Sequence, residues 1–309
     1  MSAVHVEELG ANRFQLDLDF RDVEGLIASY AIPGPDGWAI IETGPSTCRA
    51  HLVEGIGAAG IEVKDVDRVL VTHIHLDHAG GLGNAAELFP RATLYVHREG
   101  VAHMLDPTKL RASARRAWGA AADELWGEIL PVPPARVVAL SGGERLPLKD
   151  GDLLVVNTPG HAKHHLAFFD EPTRSLLTGD AAGVHLPGTG RVRPALPPPD
   201  LDLEALLASV DRMRELDPAR LLYTHFGPRA DGARALQEYP PIVLRWREVA
   251  LAAAREDPSV EHVADALQRS EGELRPGASP SDEKPDLISG TAMAAQGLLR
   301  YFRTRGLIP

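Results

Sequence analysis

Short apolar runs alternate with turn residues along the first two-thirds of the chain. Residues 28–32 (ASYAI) and 38–42 (WAIIE) each read as a strand, and PGPDG between them is turn chemistry, so the pair predicts a β-hairpin. Residues 49–59 carry Leu52, Val53 and Ile56 at helical spacing and stop at Gly60. Residues 68–72 (RVLVT) are apolar and β-branched, the pattern of a buried strand. Residues 92–97 predict another strand. The stretch 100–127 reads as helical, with Pro107 opening a second helix behind an Asp106 cap. Four short strands follow at 137–140, 153–157, 166–169 and 175–177, each closed by a turn. Residues 191–199 are rich in proline and predict an extended loop. An amphipathic helix over 201–216 and a strand over 220–223 complete this part.

From Arg229 onward the pattern turns helical, over 234–256, 260–268 and 287–305, with a loose Pro- and Ser-rich stretch at 271–285. The chain therefore divides into a part of alternating strands and helices, 1–228, which holds the candidate chemistry described below, and a helical extension, 229–309, packed on it. The small residues of SGTAMAAQG in the last helix permit close helix contact, either with the same chain or with a second copy in a homodimer.

Composition narrows the class of function. The net charge of −11 argues against nucleic acid as a partner, because phosphate contacts need a basic face. Arg111, Arg115 and Arg116 read as a solvated helix face. No run of about 18 apolar residues occurs, so no membrane span is expected. The first 20 residues lack the basic start and apolar stretch of a secretory leader. Cys48 stands alone, which excludes a disulfide within the chain; a cytoplasmic location and a small-molecule substrate are expected.

The chemistry is concentrated in THIHLDH, residues 72–78. His73, His75, Asp77 and His78 fall within six residues, directly after a buried strand. Neutral histidine is a common ligand for zinc and similar ions. Two imidazoles one residue apart can reach one ion from a strand-to-loop bend, and Asp77 and His78 then point elsewhere. Three more signals lie at strand-to-loop transitions: His161 in TPGHAKHH, Asp180 in LLTGDAA and His225 in YTHFG. Each alone is weak; together, in this order, they are a metal-site pattern. No Ser-His-Asp set is evident.

These motifs resemble those of the metallo-β-lactamase superfamily, from the hairpin near Ala28 to His225. The resemblance implies an α/β fold, a four-layer αβ/βα sandwich with the metals at one edge. It implies that His73, His75 and His161 bind one divalent ion, that Asp77, His78 and His225 bind a second, and that Asp180 bridges both. Zinc is the default metal, with iron and manganese as alternatives. A water shared by the two ions is the expected nucleophile, with Asp77 and Asp180 as the catalytic carboxylates.

The complete ligand set resembles that of the thioesterase, lactonase and phosphodiesterase branches. The first expectation is hydrolysis of a small thioester or ester of the hydroxyacylglutathione kind. Arg300, Arg303 and Arg305 are the candidates for the glutathione carboxylates. The alternatives are an acyl-homoserine lactonase, disfavoured because no tyrosine closely follows Asp180, and a phosphodiesterase or ribonuclease. A persulfide dioxygenase is disfavoured by the intact second set. A non-catalytic binding protein would be expected to have lost ligands. Glu42 stands where many relatives carry Asp, so any contact it makes behind the ligands is re-aimed. His165 is a candidate for orienting a loop or a ligand. His185 is a candidate substrate contact, or else a loop residue in solvent. His97 reads as a core residue beside the site. The segments 100–134 and 191–199 are expected to frame the cleft.

Overall fold

The computed structural model describes residues 5–186, 191–273 and 289–309. The polar N-terminus gives no strand signal, yet β1 (Val6–Gly10) and β2 (Arg13–Asp17) form an antiparallel hairpin. They continue into β3 (Ala28–Pro33), β4 (Trp38–Ile41), β5 (Val66–Leu70), β6 (Thr93–His97) and β7 (Val137–Leu140). Among the described residues these seven lie in sequence order in one sheet, antiparallel up to β4 and parallel from β4 to β7.

The second sheet draws on β8 (Arg145–Pro147), β9 (Asp152–Asn157), β10 (Leu166–Asp170) and β11 (Ser175–Leu177). A two-stranded ribbon follows, β12 (Val184–Leu186) with β13 (Arg191–Arg193). The expectation of a loop throughout 191–199 is thereby corrected: the first three residues pair as a strand, and the prolines begin only at Pro194. β14 (Arg220–Tyr223) and β15 (Gly227–Ala230) complete the second sheet, in the order β15-β14-β11-β10-β9-β8. β15 runs past the expected domain end at 228.

Strand alternation builds the layers. Ala28, Tyr30 and Ile32 of β3 face Leu166 and Phe168 of β10 in a core between the two sheets. The intervening Ala31 faces outward and packs with α1 (Arg49–Ala58) through Leu52 and Ile56. Ala167 and Phe169 face the other way, into a core shared with the later helices. β10 is thus buried on both faces, which explains why it reads as a continuous apolar run rather than an alternating one. Truncating Phe168 to Ala would cost about 3–5 kcal/mol.

On the outer side of the first sheet lie α2 (Leu76–Ala79), α3 (Leu82–Leu88), α4 (Arg98–Leu105), α5 (Thr108–Trp118) and α6 (Ala122–Trp126). On the second sheet lie α7 (Leu203–Glu215), α8 (Gly232–Glu256), α9 (Val260–Glu273) and α10 (Thr291–Thr304). α9 continues into the stretch expected to be loose; 274–285 of that stretch, and the first two residues of the helix expected over 287–305, lie outside the described residues. The small residues Ala294, Ala295 and Gly297 of α10 are buried against this chain's own core. No described helix is long and apolar enough to cross a membrane.

Candidate metal centre

Every candidate ligand leaves the carboxyl end of a strand or the loop just after it. His73, His75, Asp77 and His78 follow β5; His161 follows β9; Asp180 follows β11; His225 follows β14. The strands belong to both sheets, and cross-sheet bonds hold their ends in register. Leu166 N–H donates to the Thr72 carbonyl at 2.7 Å and Ala28 N–H to the Thr224 carbonyl at 2.8 Å. The Tyr30 hydroxyl donates to the Tyr223 carbonyl at 2.6 Å.

The structure brings all seven residues together. Three sets of donor atoms converge, within 4.8 Å inside each set: His73, His75 and His161; His73, His78 and Asp180; Asp77, His78 and His225. Asp180 faces both sides. Its Oδ2 lies 3.4 Å from His161 Nε2, and its Oδ1 lies 3.4 Å from His78 Nε2 and 3.6 Å from His225 Nε2. Asp77 Oδ2 lies 3.4 Å from His225 Nε2.

The hydrogen-bond network assigns the tautomers. His161 Nδ1–H donates to the Ala195 carbonyl at 2.9 Å, and His225 Nδ1–H to the Leu26 carbonyl at 2.7 Å. His78 Nδ1–H donates to Glu42 Oε1 at 3.0 Å. The Thr72 hydroxyl gives its proton to Glu42 at 2.5 Å, so it accepts from His73 Nδ1–H at 3.0 Å. Four Nε2 atoms are left pointing inward. His75 Nδ1 stands 2.9 Å from His73 Nε2 and 3.0 Å from His161 Nε2. His78 Nε2 stands 3.1 Å from His225 Nε2. A single proton could bridge only one of the two pairs that share His75 Nδ1. A divalent cation satisfies every lone pair at once, and the donor set, imidazole and carboxylate, suits one. Asp180 Oδ1, buried without a hydrogen-bond donor among the described residues, fits the same need.

Protonation follows burial and charge. Burial, helped by neighbouring imidazoles, holds His73 well below the ordinary histidine value and His75 down at about 3. His161 is also lowered, chiefly by burial. These three are neutral, as metal ligation requires. His78 differs: burial pushes it down, but the carboxylates of Glu42, Asp180 and Asp77 outweigh that and raise it, so a cation at its Nε2 would take the place of the proton that those carboxylates attract. Burial pushes Asp77 up, yet His78 and His225 bring it down to about 2.

A layer of polar residues stands behind the ligands. Glu42, fully buried at φ +71°, holds His78 and both polar groups of Thr72. Its carboxylate therefore is aimed at the site. His165 accepts from the Asp180 N–H through Nε2 at 3.1 Å and contacts Thr158 Oγ1 through Nδ1 at 2.8 Å. Gly179 makes room for this: a Cβ there would stand 2.7 Å from both His165 Nε2 and Thr72 Oγ1, and its φ of +48° suits glycine. His185 is not a solvent loop residue. It lies on β12, half-buried, stacked on Tyr223 at 5.3 Å, and its Nδ1–H donates to the Phe226 carbonyl at 2.8 Å. That anchors the segment after His225. His97 is buried at the start of α4 and accepts from Glu99 N–H.

His164 carries no separate signal in the sequence, where it is the first of a doublet. Here it is buried, with its ring 5.7 Å from that of His75 and its Nε2 3.9 Å from Asp200. Burial and the neighbouring His75 and His161 hold it at about 2. Arg300 and Arg305, candidates for substrate carboxylates, are instead engaged within the chain. Arg300 donates to the Pro199 carbonyl at 3.0 Å, and Arg305 pairs with Asp202 at 3.1 Å and Glu204 at 3.0 Å. Arg303 reaches the Pro258 carbonyl at 3.4 Å.

The model of the Metallo-beta-lactamase superfamily matches residues 23–225, a span that contains all seven ligand candidates. The chain belongs to the metallo-beta-lactamase superfamily. A fold-containing protein of this superfamily from Sulfurisphaera tokodaii is 28% identical over 166 residues, 52% of this chain; the chain covers only 61% of that protein's length. A hydroxyacylglutathione hydrolase of a Synechococcus species is 25% identical over 288 residues, 90% of this chain and 93% of its own. Among solved structures, a beta-lactamase domain protein from Burkholderia ambifaria superposes with a TM-score of 0.71 at 21% identity, covering 99% of this chain and 91% of its own. A metallo-beta-lactamase family protein of Thermus thermophilus does so with a TM-score of 0.62 at 22% identity, over 99% and 95%. In these two structures the likeness extends past the matched family span into the C-terminal helices. The layered α/β architecture is that of the superfamily.

Proposed function

We propose that this metallo-beta-lactamase superfamily hydrolase works with two divalent ions, zinc by default, on a small thioester or ester of the hydroxyacylglutathione kind. The observation that carries the two-ion reading is the position of Asp180, whose oxygens face different imidazole sets across one cleft. His73, His75 and His161 would hold the first ion, Asp77, His78 and His225 the second, with Asp180 reaching both. Such ions would supply a water of lowered pKa as nucleophile and a Lewis acid for the acyl oxygen.

The chain's own residues supply the rest. Asp77 and Asp180 are ionised at neutral pH, so they accept hydrogen bonds from the attacking water and orient it. Glu42, Thr72, Ala195 and Leu26 fix the imidazole tautomers, so little reorganisation is needed when the substrate arrives. A thiolate leaves without a proton donor, so the thioester asks least of the site. The relationship to hydroxyacylglutathione hydrolases over nearly the full chain supports the thioester.

The test is kcat/KM for a hydroxyacylglutathione thioester beside an acyl-homoserine lactone and a phosphodiester, using metal-loaded protein. A thioester value above about 10⁴ M⁻¹s⁻¹ and far above the others supports the reading. A preference for lactone or phosphodiester moves the protein to that branch. No turnover of any ester by metal-loaded protein leaves a binding protein.

A further inference from the structure

The Ala195 carbonyl that fixes His161 sits in an unusual piece of chain. Residues 193–199 read RPALPPP, and four of the seven are prolines, with no N–H to donate. Such a segment cannot tie itself into a sheet beyond β13. It is held instead by the C-terminal helices.

The contacts run along the whole segment. Arg193 is buried and pairs twice with Glu271 of α9, at 3.0 and 2.7 Å. Its Nη1 also donates to the Ser289 carbonyl at 3.3 Å. The Ser289 hydroxyl donates to the Pro194 carbonyl at 3.3 Å. Gly297 of α10 lies directly under the next residues: a Cβ there would fall 1.9 Å from the Leu196 carbonyl oxygen and 2.9 Å from Pro197 C. Arg300, one turn on, donates to the Pro199 carbonyl. Ala195 is therefore bracketed by Ser289 on one side and Gly297 on the other. Both lie outside the matched family span.

We infer that α9 and α10 are positioning elements of the metal centre: they clamp residues 193–199, the clamp places the Ala195 carbonyl, and that carbonyl sets the tautomer and ring orientation of His161. Gly297 is the residue on which the clamp turns, because its missing side chain lets α10 touch the loop backbone. The effect is selective. His161 belongs to the first ligand set alone, while His78 and His225 are oriented by Glu42 and Leu26, which the clamp does not touch. This inference rests on the proposal that both sets hold metal.

The test uses the full chain, stripped of metal and titrated with cobalt(II), read by visible absorption in competition with a chelator. The step lost in His75→Ala marks the first set and the step lost in His225→Ala the second. Gly297→Ala should weaken the first step about 10-fold or more and leave the second unchanged, the size expected for losing a partner behind a ligand. Glu271→Gln should weaken the same step less. Gly57→Ala, where an added Cβ meets nothing within 4 Å, serves as the control and should change neither. Equal weakening of both steps, or no change in either variant, overturns the inference. If Gly297→Ala does not fold, Glu271→Gln and Ser289→Ala decide by the same criterion. Wild-type protein that binds no cobalt at the first set removes the metal reading, and this inference with it. Wild-type binding at both sets with unaffected variants removes the inference alone.

Discussion

Glu42 Oε1 lies 3.0 Å from Nδ1 of His78, with both side chains shut off from solvent. The carboxylate also takes the proton of Thr72, which in turn accepts from His73. One buried side chain therefore orients a histidine on each side of the cleft. Glu42→Gln keeps the shape but removes the charge. Metal affinity should fall about 10–100-fold, more at the set containing His78 than at the set containing His75. Competition titration with a chromophoric chelator measures it; an affinity equal to wild type at both sets would show that the contact is incidental.

Asp180→Asn tests the proposed shared ligand. An amide presents one acceptor oxygen where the carboxylate presents two, so one side of the cleft loses its partner. Turnover should fall more than about 100-fold, beyond the range seen for residues behind the ligands. Steady-state rates with metal-saturated protein, set beside metal content, give the answer. Near-normal turnover would remove Asp180 from the centre of the site.

His165 supports the loop that carries Asp180. His165→Ala leaves the buried Asp180 N–H without its acceptor, a cost of about 1–3 kcal/mol. Chemical denaturation should show that loss, and turnover should drop with it. Full stability in the variant would mean that another group accepts from Asp180.

The candidate-ligand run His73 to His78 was legible in the sequence because its members fall within six residues and follow an apolar strand. Asp180 and His225 are single residues, and only their order behind that run gave them weight. The partners that fix the imidazoles were not legible. Ala195 and Leu26 act through carbonyls, which every residue possesses, so residue type carries no trace of the role. His164 hid beside His165, since a doublet on a loop does not reveal that both rings are buried. The layered fold was visible where strands are buried on both faces, as at β10. It was not visible at the N-terminal hairpin, where Glu7 and Glu8 are exposed and β2 buries the polar Arg13, Gln15 and Asp17 beside Leu16; Arg13 pairs with Asp170 at 2.9 Å and Asp150 at 2.7 Å. A charge used as a core residue defeats a rule based on hydrophobic alternation.

Asp17 gives a pH prediction away from the metals. Burial raises its carboxyl to about 6, against the bonds from Gly25 and Asp19 N–H that lower it. A raised folded-state pKa means stability that is full below the unfolded value near 4 and is lost as pH rises through 6, about 2–3 kcal/mol in all. Asp17→Asn removes this titration. Between pH 4.5 and 7.5 the wild type should lose stability relative to the variant, whatever constant offset separates them. Parallel stability curves across that window would contradict the assignment.

The central claim is that two metal ions bind and that hydrolysis needs both. Protein stripped by a chelator and titrated with zinc, with bound metal and thioester hydrolysis followed together, tests it directly. The account predicts two equivalents per chain, with most of the activity appearing as the second is taken up. Full activity at one equivalent, or undiminished activity in the stripped protein, would contradict it.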